Sequence, residues 1–119
     1  MKGLEYNFKN KTIKAEPNFA RYLSTGNLYF YIKVYEEDSM PRTISITENY
    51  NKKLPYLHGV VSGSDINSNI DFLTNYNLAE PTGETFEFDK EKCYVFKFNE
   101  DVLKKLNPEM FKNYRKYFQ

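Results

Sequence analysis

The chain has 119 residues, 17 Lys and Arg against 16 Asp and Glu, one His and one Cys. That length suits a single domain, and a net charge of +1 speaks against a protein that holds nucleic acid by its overall field. Hydrophobic residues reach only 40%, but 11 Tyr and 10 Phe supply large buriable side chains, so a folded, aromatic-rich globule is expected over a disordered chain.

Cys93 has no partner for an internal disulfide, the opening MKGLEYNFKNK holds no apolar run of the secretory kind, and nothing later approaches ~18 consecutive apolar residues. A cytoplasmic protein is expected. The sequon at Asn10-Lys11-Thr12 then carries no meaning. Charge is unevenly spread. Residues 1–21 carry five basic and two acidic side chains, and residues 104–116 carry five basic and one acidic. The span between them carries 7 basic and 13 acidic.

In chain order, residues 4–9 and 11–16 are weakly patterned about a turn at Asn10 and read as a short hairpin or one irregular strand. Pro17-Asn18 breaks that run, and Phe19, Tyr22 and Leu23 are spaced for one helical turn before the turn 24–27. Asn27 to Glu36 then gives the clearest signal in the chain. Leu28, Phe30, Ile32 and Val34 alternate with Tyr29, Tyr31, Lys33 and Tyr35, so an extended strand has one aliphatic and one tyrosine–lysine face. Residues 42–48 alternate again and pair back on it as an antiparallel hairpin. Leu54 to Val61 is a third strand, weakened by Pro55 and Gly59.

After the turn 62–65, Ile66, Ile70, Leu73 and Tyr76 form the stripe of an amphipathic helix. Ser68 and Asp71 are placed as its capping box, Asn77 as a left-handed stop, and Leu78 as the residue folding back on Leu73. Glu80 to Gly83 leads out of the helix. Phe86 and Phe88, then Tyr94, Phe96 and Phe98, alternate across a charged turn at 89–92, a second hairpin. Asn99 caps a short helix with Val102, Leu103 and Leu106 inward, and Pro108 opens a last helix with Met110, Phe111, Tyr114, Tyr117 and Phe118. The class is α+β: a mainly antiparallel sheet of about five strands, one central helix, and a helical C-terminus packed on one face.

Few sites suggest chemistry. Asp65-x-Asn67-x-Asn69 opens like a calcium loop, but Ile70 and Tyr76 stand where Gly and Glu are required. Ser62-Gly63-Ser64 lacks the Lys of a phosphate loop. His58 and Cys93 are the one pair able to form a Cys–His nucleophile; packing fits each better. No metal, cofactor or catalytic residue is assigned, and a non-enzymatic protein is expected. Two binding surfaces remain. The first is Tyr29, Tyr31, Lys33 and Tyr35 with Glu36, Glu37 and Asp38, suited to a protein partner unless the last helix covers it. The second is Lys104, Lys105, Lys112, Arg115 and Lys116, suited to nucleic-acid phosphates.

The order of NLYFYIKVYEED, RTISITENYNKKLP, NLAEPTGET and CYVFKFNEDVLKKLNPE, spanning Asn27 to Pro108, resembles a small uncharacterised domain family. Plasmids, integrative elements and phages of low-GC bacteria carry it. The excess of Lys over Arg and the abundance of Asn, Tyr, Ile and Phe agree with that source. The resemblance transfers no functional residue, but it implies an accessory protein of mobile DNA, a class that often blunts host defence. The expected function is inhibition of a host defence nuclease, in the manner of an anti-CRISPR protein; the alternative is a nucleic-acid-binding accessory protein.

Overall fold

The computed structural model describes residues 3–36 and 40–118. Its first unit is the hairpin of β1 (Leu4–Phe8) and β2 (Lys11–Arg21). Lys9 and Asn10 both lie at positive φ, 50° and 64°, the two-residue turn whose twist matches that of paired strands. β2 does not stop at Pro17, as the sequence predicts. It runs on to Arg21 against β3 (Leu28–Tyr35), and Pro17 faces Ile32. The reason is geometric. The Phe30 carbonyl accepts from Ile46 on the far side of β3; by alternation Ile32 faces that way too, so Pro17 turns its nitrogen away from β3. On that side the paired part of β1 ends at Leu4, opposite Ala15, and no ladder bond is lost. Phe19 is accordingly a strand residue opposite Phe30, not part of a helical turn.

β4 (Arg42–Ser45) pairs antiparallel with β3 and completes a four-stranded sheet in the order β1-β2-β3-β4. Beyond Ser45 the regular ladder fails: the N–H groups of Ile46 and Thr47 both reach the Phe30 carbonyl. The Thr47 hydroxyl takes over, accepting from Phe30 N–H at 2.9 Å and donating to the Leu28 carbonyl at 3.1 Å. Glu48 then bridges to Val60 in a second sheet, ordered β5-β7-β6. There β5 is only His58–Val61, because the segment before it turns, with Leu57 at φ 68° and His58 N–H bonded to the Pro55 carbonyl. β6 (Ala79–Phe88) starts before the predicted strand and contains Glu80 to Gly83, its register shifting between Pro81 and Thr85. As an edge strand it tolerates both Pro81 and the shift. Asp89 and Lys90, at φ 51° and 66°, turn the chain into β7 (Glu91–Phe98).

The class is α+β, as predicted, but with seven described strands in two antiparallel sheets rather than about five in one. α1 (Ile66–Asn75) begins at an N-cap Asp65 that makes no side-chain cap bond. Ser68 is therefore inside the helix and does not act as the expected cap. The C-terminal end follows the sequence: Asn77 has φ 53°, and Leu78 N–H returns to the Leu73 carbonyl at 2.9 Å. α2 (Glu100–Leu106) is capped by Asn99, which accepts from Asp101 N–H. α3 (Pro108–Tyr117) is capped by Asn107. The α2–α3 junction also covers the β2 edge that β1 leaves free, where Asn107 Nδ2 donates to Asn18 Oδ1.

One face of the large sheet, carrying Tyr6, Ile13, Ala15, Phe19, Phe30, Ile32 and Val34, packs on Phe72 and Leu73 of α1, Phe96 and Phe98 of β7, Leu103 of α2, and Phe111 and Tyr114 of α3. The Phe30 and Phe98 rings, 4.8 Å apart, join the two sheets. A smaller cluster of Leu54, Val60, Cys93 and Val95 fills the other side of β7 beneath Tyr50 and Phe86. Because β7 is central and covered on both faces, Val95 and Cys93 are as buried as Phe96 and Phe98.

Candidate functional site

All three helices send their buried residues to the inner face of the large sheet, so the last helix does not cover the tyrosines. The outer face is built from cross-strand rows read off the register: Ala20 beside Tyr29, Asn18–Tyr31–Ser45, Glu16–Lys33–Thr43, and Lys14 beside Tyr35. Tyr29 and Tyr31 stack with ring centres 5.0 Å apart, and Tyr22 leans on Tyr29 at 4.9 Å. The result is a row of three half-buried rings followed by the exposed Lys33 and Tyr35. Tyr22 belongs to this row, which the reading of 19–23 as a helical turn conceals. The alternation Ala20–Tyr22, continuing β2, is the signal that finds it.

The row is held at its edges. Tyr22 donates to the Thr47 carbonyl at 2.9 Å, Ser45 Oγ donates to the Tyr29 hydroxyl at 3.3 Å, and Tyr35 donates to Glu16 Oε2 at 3.3 Å. Burial pushes the Tyr22 hydroxyl up to about 12, and burial with the neighbouring Tyr29 pushes up Tyr31. Both are neutral at physiological pH. Charge on this face comes from Lys14, Glu16 and Lys33. Glu36, predicted to join it, lies instead within 3.4 Å of Arg42, which pairs with the buried Val34 and sits over the Phe8 ring toward the inner face. Glu37 and Asp38 lie outside the described residues. The surface is flat, aromatic and mixed in sign, which suits a protein partner better than a small ligand.

The predicted C-terminal basic surface is split. Lys104 lies 3.5 Å from Glu100 and over the Phe111 ring, and Arg115 acts on Glu100 and Tyr56 through its charge. Lys112 and Lys116 lie instead beside Asn113 and Glu109 along the exposed side of α3. Lys105 is exposed at the end of α2.

His58 and Cys93 do not meet. His58 pairs with Lys97, four residues along β7 from Cys93, which is about 14 Å at ~3.4 Å per strand residue. Cys93 is buried in the smaller cluster, and His58 Nδ1 contacts the Tyr56 carbonyl at 2.8 Å, so that nitrogen carries the hydrogen. Among the described residues no group of three His, Cys, Asp or Glu side chains is placed to hold a metal ion. An open depression of about 420 Å³ is lined by Leu57, Asn77, Lys97, Asn99 and Glu100 among others. Its polar groups are largely engaged: Asn99 caps α2, and Glu100 accepts from Tyr56 at 3.0 Å, which with Lys104 holds its carboxyl below the usual range. Among the described residues no helix is long and apolar enough to cross a membrane.

Comparison of the chain with protein-family models, with curated proteins and with solved structures returns no match.

Proposed function

We propose that this protein is a non-enzymatic binding factor of a mobile genetic element that inhibits a host defence nuclease by occupying part of its surface. The observation that carries the binding role is the uncovered outer face of the four-stranded sheet, with Tyr22, Tyr29 and Tyr31 in one stacked row. Rings already held against one another lose little conformational freedom on docking, and buried aromatic contacts supply most of the energy of protein interfaces. Glu16 on the same face offers a partner for a basic residue of a nuclease. The mobile-element setting and the inhibitory role come from the family resemblance of Asn27 to Pro108.

The test has two parts. Expressed in a low-GC host with an active defence nuclease, the protein should raise phage plating, and the Tyr29→Ala/Tyr31→Ala variant should not. A tagged copy should retain that nuclease from lysate cleared of nucleic acid, and the same variant should lose it. Equal plating with and without the protein, in hosts carrying each class of defence nuclease, would remove the inhibitory reading.

A further inference from the structure

The four residues that carry this inference come from three distant parts of the chain. Arg21 ends β2, Lys53 lies in the loop before β5, and Lys112 and Lys116 stand one turn apart on α3. Arg21, Lys53 and Lys116 gather around Tyr117, and Lys112 adjoins them through Lys116. The Arg21 guanidinium carbon is 4.8 Å from the Tyr117 ring centre, and Lys53 Nζ is 5.0 Å from it. Arg21 and Lys116 line one shallow depression with Asn113 and Tyr117, and Lys112 and Lys116 line the adjoining one with Asn113 and Glu109. Glu109 is the one carboxylate lining either depression. Among the described residues none of the four cations forms an ion pair, and Arg21 Nε is buried without a hydrogen-bond partner.

The cluster is pre-shaped rather than a chance meeting of mobile lysines. Tyr117 donates to the Thr25 carbonyl at 3.2 Å, and its ring lies so close over Gly26 that any side chain there would enter it. The Lys53 backbone is fixed from both sides by buried Asn27, whose amide donates to the Lys52 carbonyl at 2.7 Å and accepts from Leu54 N–H at 2.8 Å. The aromatic ring holds the guanidinium in place without neutralising it. Lys112 and Lys116 are both exposed and ~6 Å apart along the helix axis, so with Arg21 and Lys53 they make one connected basic strip.

We propose that this strip binds the phosphodiester backbone of nucleic acid, independently of the tyrosine face. The chemistry fits that ligand: unpaired cations and an amide donor, Asn113, on a shallow surface that can follow a chain, and no deep pocket for a base. Backbone contacts of this kind carry no sequence preference and weaken steeply with salt.

The experiment is fluorescence anisotropy of labelled oligothymidine, and of a labelled duplex, against the full chain across ~50 to 200 mM salt. Binding should be salt-dependent, and Lys112→Gln/Lys116→Gln should weaken it and lower the single-strand slope of log K on log salt by ~1.4, about 0.7 for each contact removed. The charge-matched variant Lys11→Gln/Lys90→Gln, changed at the two hairpin tips, should bind as the parent does, with circular dichroism showing all three proteins folded. No binding at the lowest salt overturns the proposal, as does equal weakening by both double variants. So does displacement of the oligonucleotide by polyglutamate at equal charge concentration, which would assign the strip to an acidic protein segment.

Discussion

The backbone N–H of Leu57 donates to the hydroxyl of Tyr114 at 2.8 Å, and both residues are buried. Leu57 has φ 68°, a left-handed conformation that a bulky residue adopts only under constraint. Its carbonyl supplies the second constraint, accepting from Phe98 N–H at 2.8 Å. The last helix thereby fixes the bend that aims β5 into the second sheet. Tyr114→Phe removes one oxygen and strands a buried N–H at this bend, so a loss of about 1–3 kcal/mol is expected. The check is a lower denaturant midpoint at unchanged m-value. A loss below ~0.5 kcal/mol would mean that Leu57 N–H does not depend on the phenol.

Thr47 replaces part of the β3–β4 ladder with its own side chain, serving Phe30 N–H and the Leu28 carbonyl with one hydroxyl. Its methyl group lies against Gly59, where any added side-chain carbon would crowd it. Thr47→Val keeps that shape and leaves two backbone groups unpaired, at about 1–3 kcal/mol for each. Thr47→Ser keeps the hydroxyl and should cost clearly less. Thermal melting of the two variants side by side tests the ranking, and equal losses would assign the role of Thr47 to packing alone.

Burial pushes the hydroxyls of Tyr6, Tyr22 and Tyr56 up to about 12, and that of Tyr114 up as well. In the unfolded chain these groups release their protons near ~10. The folded state therefore holds protons that the unfolded state has lost between the two values. The stability they contribute is complete below pH ~10 and is lost as pH rises toward about 12. Tyrosinate absorbance should rise later in the native protein than in denaturant, with a late step at alkaline unfolding. Titration of all 11 tyrosines together near the ordinary value in the native state would contradict this.

Tyr31 and Lys33 lie on the uncovered sheet face, where few native contacts depend on them. Lys33→Glu should change stability by less than ~0.5 kcal/mol, and Tyr31→Ala by about 1 kcal/mol through its stack with Tyr29. Under the proposed function, binding of a nuclease partner should fall far more, by at least ~2 kcal/mol, or about 30-fold, for Tyr31→Ala. Calorimetric affinities set beside denaturation curves separate the two effects. Equal losses in both would make the tyrosine row structural.

Short-range chemistry was enough to place most elements. Period-two runs mark β3, β4 and the β6–β7 hairpin; Asn99, Pro108 and Asn77 mark helix ends, because caps and left-handed stops act within a few residues. The two faces of β3 are legible for the same reason: side-chain alternation is a property of any extended chain. What the sequence could not decide depends on neighbours distant along it. Pro17 stays in β2 because β1 ends two residues short of it and Ile32 directs its own amide elsewhere. Cys93 and Val95 are buried because β7 became the central strand of a second sheet. The helices chose the aliphatic side, leaving the tyrosine row open, and basic side chains from the two ends of the chain were brought together at Arg21, Lys116 and the ring of Tyr117. Local pattern sets which faces exist; burial of the largest apolar area decides which of them meet.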